Sequence, residues 1–78
     1  MYYAVLTGRP MKIRILKNVL VEIEKTKLQE TWDKQLYRGN ELHIDSAIVE
    51  GKWANLTTYE GDVILNLPID AYEVIKVE

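Results

Sequence analysis

From Glu41 to Glu78 the chain alternates apolar and polar residues in short runs, each closed by a glycine or proline turn. That period of two constrains the fold more than any other feature, because it gives a strand one face for a core and one for water. Leu42-His43-Ile44-Asp45 alternates, and Ala47-Ile48-Val49 carries the run on after an interruption that reads as a β-bulge. Glu50-Gly51 turns the chain. Lys52 to Tyr59 alternates again, setting Ala54 and Leu56 on the face opposite Trp53, Asn55, Thr57 and Tyr59. Glu60-Gly61 has the form of a two-residue hairpin turn whose glycine supplies a positive φ. Val63, Leu65 and Leu67 then share one face, with Ile64 and Asn66 on the other. Pro68 ends the strand because it has no N–H for the ladder. Ile69 to Tyr72 suits a single tight turn, and Val74 to Val77 a closing strand.

The first half carries fewer such signals. Tyr2 to Leu6 is a short run of β-formers, broken by Thr7-Gly8-Arg9-Pro10. Lys12-Ile13-Arg14-Ile15 alternates, and Val19, Val21 and Ile23 share a face beyond Lys17-Asn18. Met11 heads a Met-Lys-Ile-Arg-Ile run and reads as a second start, which makes residues 1–10 an extension dispensable for the fold. Leu28, Trp32 and Leu36 recur at i, i+4 and i+8, a helical stripe. Thr26-Lys27-Leu28-Gln29 fits a capping box and Gly39 a glycine just past a helix end. The pattern predicts a short helix within Thr26–Asn40 with Trp32 in the core; the rival reading is a long irregular loop.

A chain of 78 residues is one domain near the lower limit for folding without staples. It has no cysteine and one histidine, His43, so neither a disulfide framework nor a thiolate or His-rich metal site is expected, and no cofactor. Aliphatic packing must carry stability. No apolar run approaches membrane-spanning length, and Met1-Tyr2-Tyr3-Ala4 lacks the basic and apolar regions of a secretory signal; the expected compartment is the cytoplasm. Asn55-Leu56-Thr57 then matches the glycosylation pattern by chance. The net charge of −2 is unevenly spread. Eight bases and four acids up to Asn40 give +4, whereas two bases and eight acids from Glu41 onward give −6. Such asymmetry either steers a charged partner or is neutralised locally where the halves interleave.

Strand, glycine turn, strand, Pro-led turn and short closing strand together resemble the C-terminal half of SH3-like barrels. The resemblance covers the chain beyond about Leu42, with Val19 to Glu24 as a first strand. It implies a mainly β, small barrel of about five strands, with the short helix between its first two main strands, spanning residues 1–78 as a single domain. It further implies that Leu67-Pro68 through Tyr72-Glu73-Val74-Ile75 forms the 3₁₀ turn into the last strand. Gly51-Lys52-Trp53-Ala54 resembles the start of the third strand, where an exposed tryptophan lines a ligand groove. The Ala-Leu-Tyr-Asp-Tyr signature of proline-rich-peptide binders is not present in this sequence.

Three chemistries are open to such a chain. His43, Asp45 and Ser46 lie close in sequence, but on one strand they cannot place a base between nucleophile and orienter, so no catalytic residues are expected. Arg9, Lys12, Arg14 and Lys17, with Tyr2 and Tyr3 nearby, have the makings of a basic, stacking face for single-stranded nucleic acid. The aromatic set of five tyrosines, two tryptophans and no phenylalanine favours half-wet surfaces. The leading expectation is therefore a non-enzymatic module, an accessory subunit or inhibitor, that docks on a larger protein with a basic surface. Its docking face comprises Trp53, Asn55, Thr57 and Tyr59, rimmed by Glu60 and Asp62. The nucleic-acid-binding barrel is the alternative. Glu60 and Asp62 alone are too few for a metal site.

Overall fold

The computed structural model describes the chain from Ala4 to Glu78, with side chains from Gly8 onward. Tyr2 and Tyr3 lie outside the described residues. The fold is mainly β. Eight strands follow in order: β1 (Ala4–Thr7), β2 (Met11–Ile15), β3 (Val19–Lys25), β4 (Glu30–Leu36), β5 (Glu41–Glu50), β6 (Trp53–Thr58), β7 (Asp62–Pro68) and β8 (Tyr72–Val77). A 3₁₀ turn at Ile69–Ala71 leads from Pro68 into β8, as the sequence suggests. All pairings are antiparallel and run β4-β3-β7-β6-β5-β2-β8, with β1 lying against β5 as well.

The ten-residue β5 is the spine. Its first half pairs with β2 (Met11↔Ile44 to Arg14↔Glu41) and its second half with β1 (Ala4↔Glu50 to Thr7↔Ala47). The strand bends where the expected bulge falls: the register against β6 steps from Ile44↔Thr58 to Ser46↔Thr57. The bend lets both Ile44 and Ala47, three apart, face inward. A second bulge corrects the sequence reading of β7. Ala54 pairs with Leu67 but Leu56 with Ile64, so Leu65 and Asn66 together oppose Asn55. Asn66 takes a positive φ of 53°, and its N–H donates to Asn55 Oδ1 at 2.8 Å. Ile64 and Leu67 are therefore the buried pair, and Val63 and Leu65 are only partly covered. Alternation predicted the reverse for Ile64 because it presumed an unbroken strand.

The predicted helix within Thr26–Asn40 is not formed. Residues 26–29 are a hairpin turn, with Leu28 N–H donating to Lys25 O at 3.0 Å and Gln29 at φ 52°. β4 then pairs with β3 without a break from Lys25↔Glu30 to Val19↔Leu36. Of the presumed helical stripe only Leu36 is buried; Leu28 and Trp32 are 63% and 55% exposed. A 15-residue helix with one narrow apolar stripe gains little alone, whereas as a strand this segment extends the ladder and sets Trp32 beside Ile23. Gly39 does take a left-handed conformation, φ 91°, but in the β4–β5 turn.

The core is aliphatic throughout: Met11, Ile13, Ile15, Val21, Ile23, Leu36, Ile44, Ala47, Ala54, Leu56, Ile64, Leu67 and Ala71. Among the described residues no polar side chain is buried with it. The extents are 27 Å along every principal axis, so the sheet curls around this core rather than lying flat. The closed barrel of about five strands is not what the ladder draws. Among the described residues no pairing joins β4 to β8, and both remain edges. No helix among the described residues is long and apolar enough to cross a membrane.

Candidate binding groove

The curl brings the β3–β4 hairpin to face the β5–β6 corner, and a groove of about 660 Å³ lies between them. Its floor consists of core residues reached from outside, Ile23, Leu36 and Ile64, with Leu42 beside them. One wall is β4, with Trp32 half-exposed and its indole N–H held by Glu30 Oε2 at 3.0 Å. The other wall carries Tyr59 and His43, their rings 5.7 Å apart and tilted by 45°. Lys25 and Asp62 close one end with a 2.7 Å ion pair joining β3 to β7. Thr58 Oγ1 is buried in this wall and has no hydrogen-bond partner among the described residues.

Charge on the rim is mixed but leans acidic: Asp33, Glu41, Glu60 and Asp62 against Lys25 and Lys34. Glu41 is held below its ordinary 4.5, first by the hydrogen bond from Lys12 and then by that from Arg14. The Tyr59 phenol is pushed up, chiefly by desolvation, then by its 3.1 Å hydrogen bond to Glu78 and by the charges of Glu78 and Asp45.

The expected docking face divides in two. Ala54 and Leu56 are buried and Trp53 is 53% exposed, as their parity predicts. Yet Trp53 and Asn55 line a separate recess of about 260 Å³ with Ile48, Glu50, Lys52 and Asn66. Tyr59, Glu60 and Asp62 belong to the larger groove, and Thr57 lines neither. Trp32, His43, Thr58 and Leu42 join the groove unannounced. The signal for Trp32 was the alternation of Trp32, Lys34 and Leu36 with Thr31, Asp33 and Gln35, which the i, i+4 spacing of three apolar residues hid.

The basic cluster is largely spoken for. Lys12 pairs with Glu41 at 2.9 Å, Arg14 with Glu41 at 3.2 Å and Glu73 at 3.3 Å, and Lys17 with Asp70 at 3.1 Å. Arg9 is exposed on the turn before β2. β2 sits between β5 and β8, so the basic half of the sequence interleaves with the acidic half. His43, Asp45 and Ser46 are not brought together as a relay: the His43 ring lies against Tyr59, tilted by 45°, and Asp45 occupies the bulge between two ladder registers.

No protein-family model, curated protein or solved structure matches this chain.

Proposed function

We propose that the protein is a non-enzymatic binding module that docks on another protein through the groove between Trp32 and Tyr59. The observation that carries this reading is a groove whose base is the buried aliphatic side chains of Ile23, Leu36 and Ile64 and whose walls hold two half-exposed aromatic side chains, Trp32 and Tyr59. Aromatic anchors beside a desolvated floor are the composition of interface hot spots. Of the rim acids, Asp33 and Glu60 make no ion pair among the described residues, and they favour a partner segment that combines aliphatic side chains with lysine or arginine. The reading keeps Tyr59, Glu60 and Asp62 from the face expected on sequence and replaces Trp53 with Trp32. An SH3-like reading of the architecture is supported by the bent β5 shared between ladders, the β5–β6–β7 meander, and the 3₁₀ turn that returns β8 to β2. On that reading β3 is the first strand, and β4 is an additional strand between it and β5, where the sequence pattern predicted a helix.

The test uses immobilised full-length protein in extract of the source cells, with Trp32→Ala, Tyr59→Ala and Trp53→Ala as parallel baits. The partner should be retained by the wild type and by Trp53→Ala, and lost from the other two. With the purified partner, Trp32→Ala or Tyr59→Ala should weaken binding about 30-fold or more, the hot-spot range. Retention abolished only by Trp53→Ala moves the site to the smaller recess. The nucleic-acid reading would need a salt-sensitive complex that weakens when Arg9, Lys12, Arg14 and Lys17 are neutralised; the ion pairs of Lys12, Arg14 and Lys17 with Glu41, Glu73 and Asp70 weigh against it.

A further inference from the structure

The two strands at the ends of the ladder, β4 and β8, are not alike. β8 is interrupted: Lys12 pairs with Lys76 but Ile13 with Val74, which leaves Ile75 as a bulge. Its end is tied down, with Glu78 N–H donating to Pro10 O at 2.8 Å. Bulges and covered ends are how proteins blunt an edge against further pairing. β4 has neither. It contains no proline or glycine, its register against β3 is unbroken from Glu30 to Leu36, and among the described residues β3 is its only partner. Apart from Leu36 O, which accepts from the Gln35 side-chain amide at 3.0 Å, its outer side therefore presents a regular row of N–H and C=O groups without a strand partner among the described residues.

The side chains along that row decide what can pair there. Glu30-Thr31-Trp32-Asp33-Lys34 is complementary to itself when reversed. An antiparallel two-fold centred on Trp32 sets Glu30 opposite Lys34 of a second copy, Thr31 opposite Asp33, and Trp32 opposite Trp32, with each pair repeated by symmetry. Opposite charges, a hydroxyl facing a carboxylate and an aromatic pair are each favourable cross-strand neighbours. Shifting the axis destroys the match: centred on Asp33 it opposes two aspartates and pairs Glu30 with Leu36, and centred on Lys34 it opposes two lysines. Charges on an edge ordinarily repel another copy; here their order selects one register.

We propose that the protein self-associates through β4, forming an antiparallel two-fold dimer in which β4 of each copy pairs with β4 of the other about Trp32. This joins two copies of the sheet edge to edge and gives an isologous interface. Trp32 lines the groove in each copy, so the seam runs along one wall of both grooves. Trp32, Asp33 and Lys34 belong to both the seam and the groove, so an occupant of the groove and a second copy meet at the same wall. A single strand pair and two indoles form a small interface, of the size found in weak, reversible complexes.

Sedimentation equilibrium across a range of protein concentration tests this directly. The wild-type mass should rise from 9.1 kDa toward twice that value as concentration approaches the millimolar range. Glu30→Lys sets lysines against Lys34, and Lys34→Glu sets glutamates against Glu30, so each variant alone should raise the dimer dissociation constant about tenfold or more. An equimolar mixture of the two variants restores opposite charges at both outer pairs and should recover the association. Far-UV circular dichroism of each variant checks that the sheet is intact, and recovery on mixing cannot come from unfolded chains. A wild type that stays at 9.1 kDa throughout overturns the proposal, as does association that both variants keep unchanged or that mixing fails to restore. Tyr59→Ala lies off the seam, so its effect on partner binding is read separately.

Discussion

Truncating Leu56 should cost more than any change on the same strand's outer face. Leu56 is fully buried at the middle of β6, between Ala47 of β5 and Ile64 of β7, both also buried. Leu→Ala at such sites costs about 2–5 kcal/mol, rising with the cavity left behind. Here collapse is hard: Ala47 has only a methyl group to lend, and Ile64 is held by the ladder beside the bulge. The middle of the range applies, about 3–4 kcal/mol. A chain of 78 residues has a total stability of roughly 4–12 kcal/mol, so this is a large share of it. At about 4–8 °C per kcal/mol, the melting temperature should fall by about 12–30 °C. Trp53→Ala, three positions earlier and half-exposed, should cost under about 1 kcal/mol. Urea melts followed by far-UV circular dichroism measure both. A Leu56→Ala cost below about 1 kcal/mol, with Trp53→Ala above about 3 kcal/mol, would mean that β6 faces the other way and that its supposed outer face is the core.

Further expectations concern the turn, the ion pairs and the recess. Gln29 holds a positive φ that costs a non-glycine residue about 1 kcal/mol, so Gln29→Gly should stabilise the hairpin by up to that amount, whereas Gln29→Val should destabilise it in the same melts. Glu41 is more acidic than an ordinary glutamate because Lys12 and Arg14 favour its charged form. Its contribution to stability is thus complete above the unfolded-state pKa and lost as pH falls through the depressed folded value. A carboxyl titration by NMR should show this below pH 4.5, and Lys12→Met should move Glu41 back toward its ordinary range. Asn55→Ala removes the acceptor for the Asn66 N–H and should cost about 1 kcal/mol, with faster amide exchange at Asn66 than at Leu67. Random single-stranded DNA or RNA should show no anisotropy change at physiological salt; micromolar binding lost on neutralising Arg9, Lys12, Arg14 and Lys17 would restore the nucleic-acid reading.

What a period of two can specify, the residues specified locally. Ile13, Ile15, Val21, Ile23, Ala54 and Leu56 all face the core as their parity requires, because a strand with one buried face cannot slip by one residue without exposing every apolar side chain. The bend after Ile44, the glycine at Gly61 and the turn after Pro68 were legible for the same local reason, although the β6–β7 loop spans Tyr59, Glu60 and Gly61 rather than two residues. Position 26–40 was not legible. Three apolar residues at helical spacing outweighed the β-forming Thr31-Trp32 because the partner that stabilises β4, the alternating face of β3, enters only as a ladder between segments. The bulge at Asn66 likewise depends on which residue of β6 it opposes. The groove belongs wholly to the tertiary structure. Trp32 and Tyr59 come from separate hairpins, and only the curl of the sheet around its aliphatic core sets them on facing walls with Ile23, Leu36 and Ile64 between them.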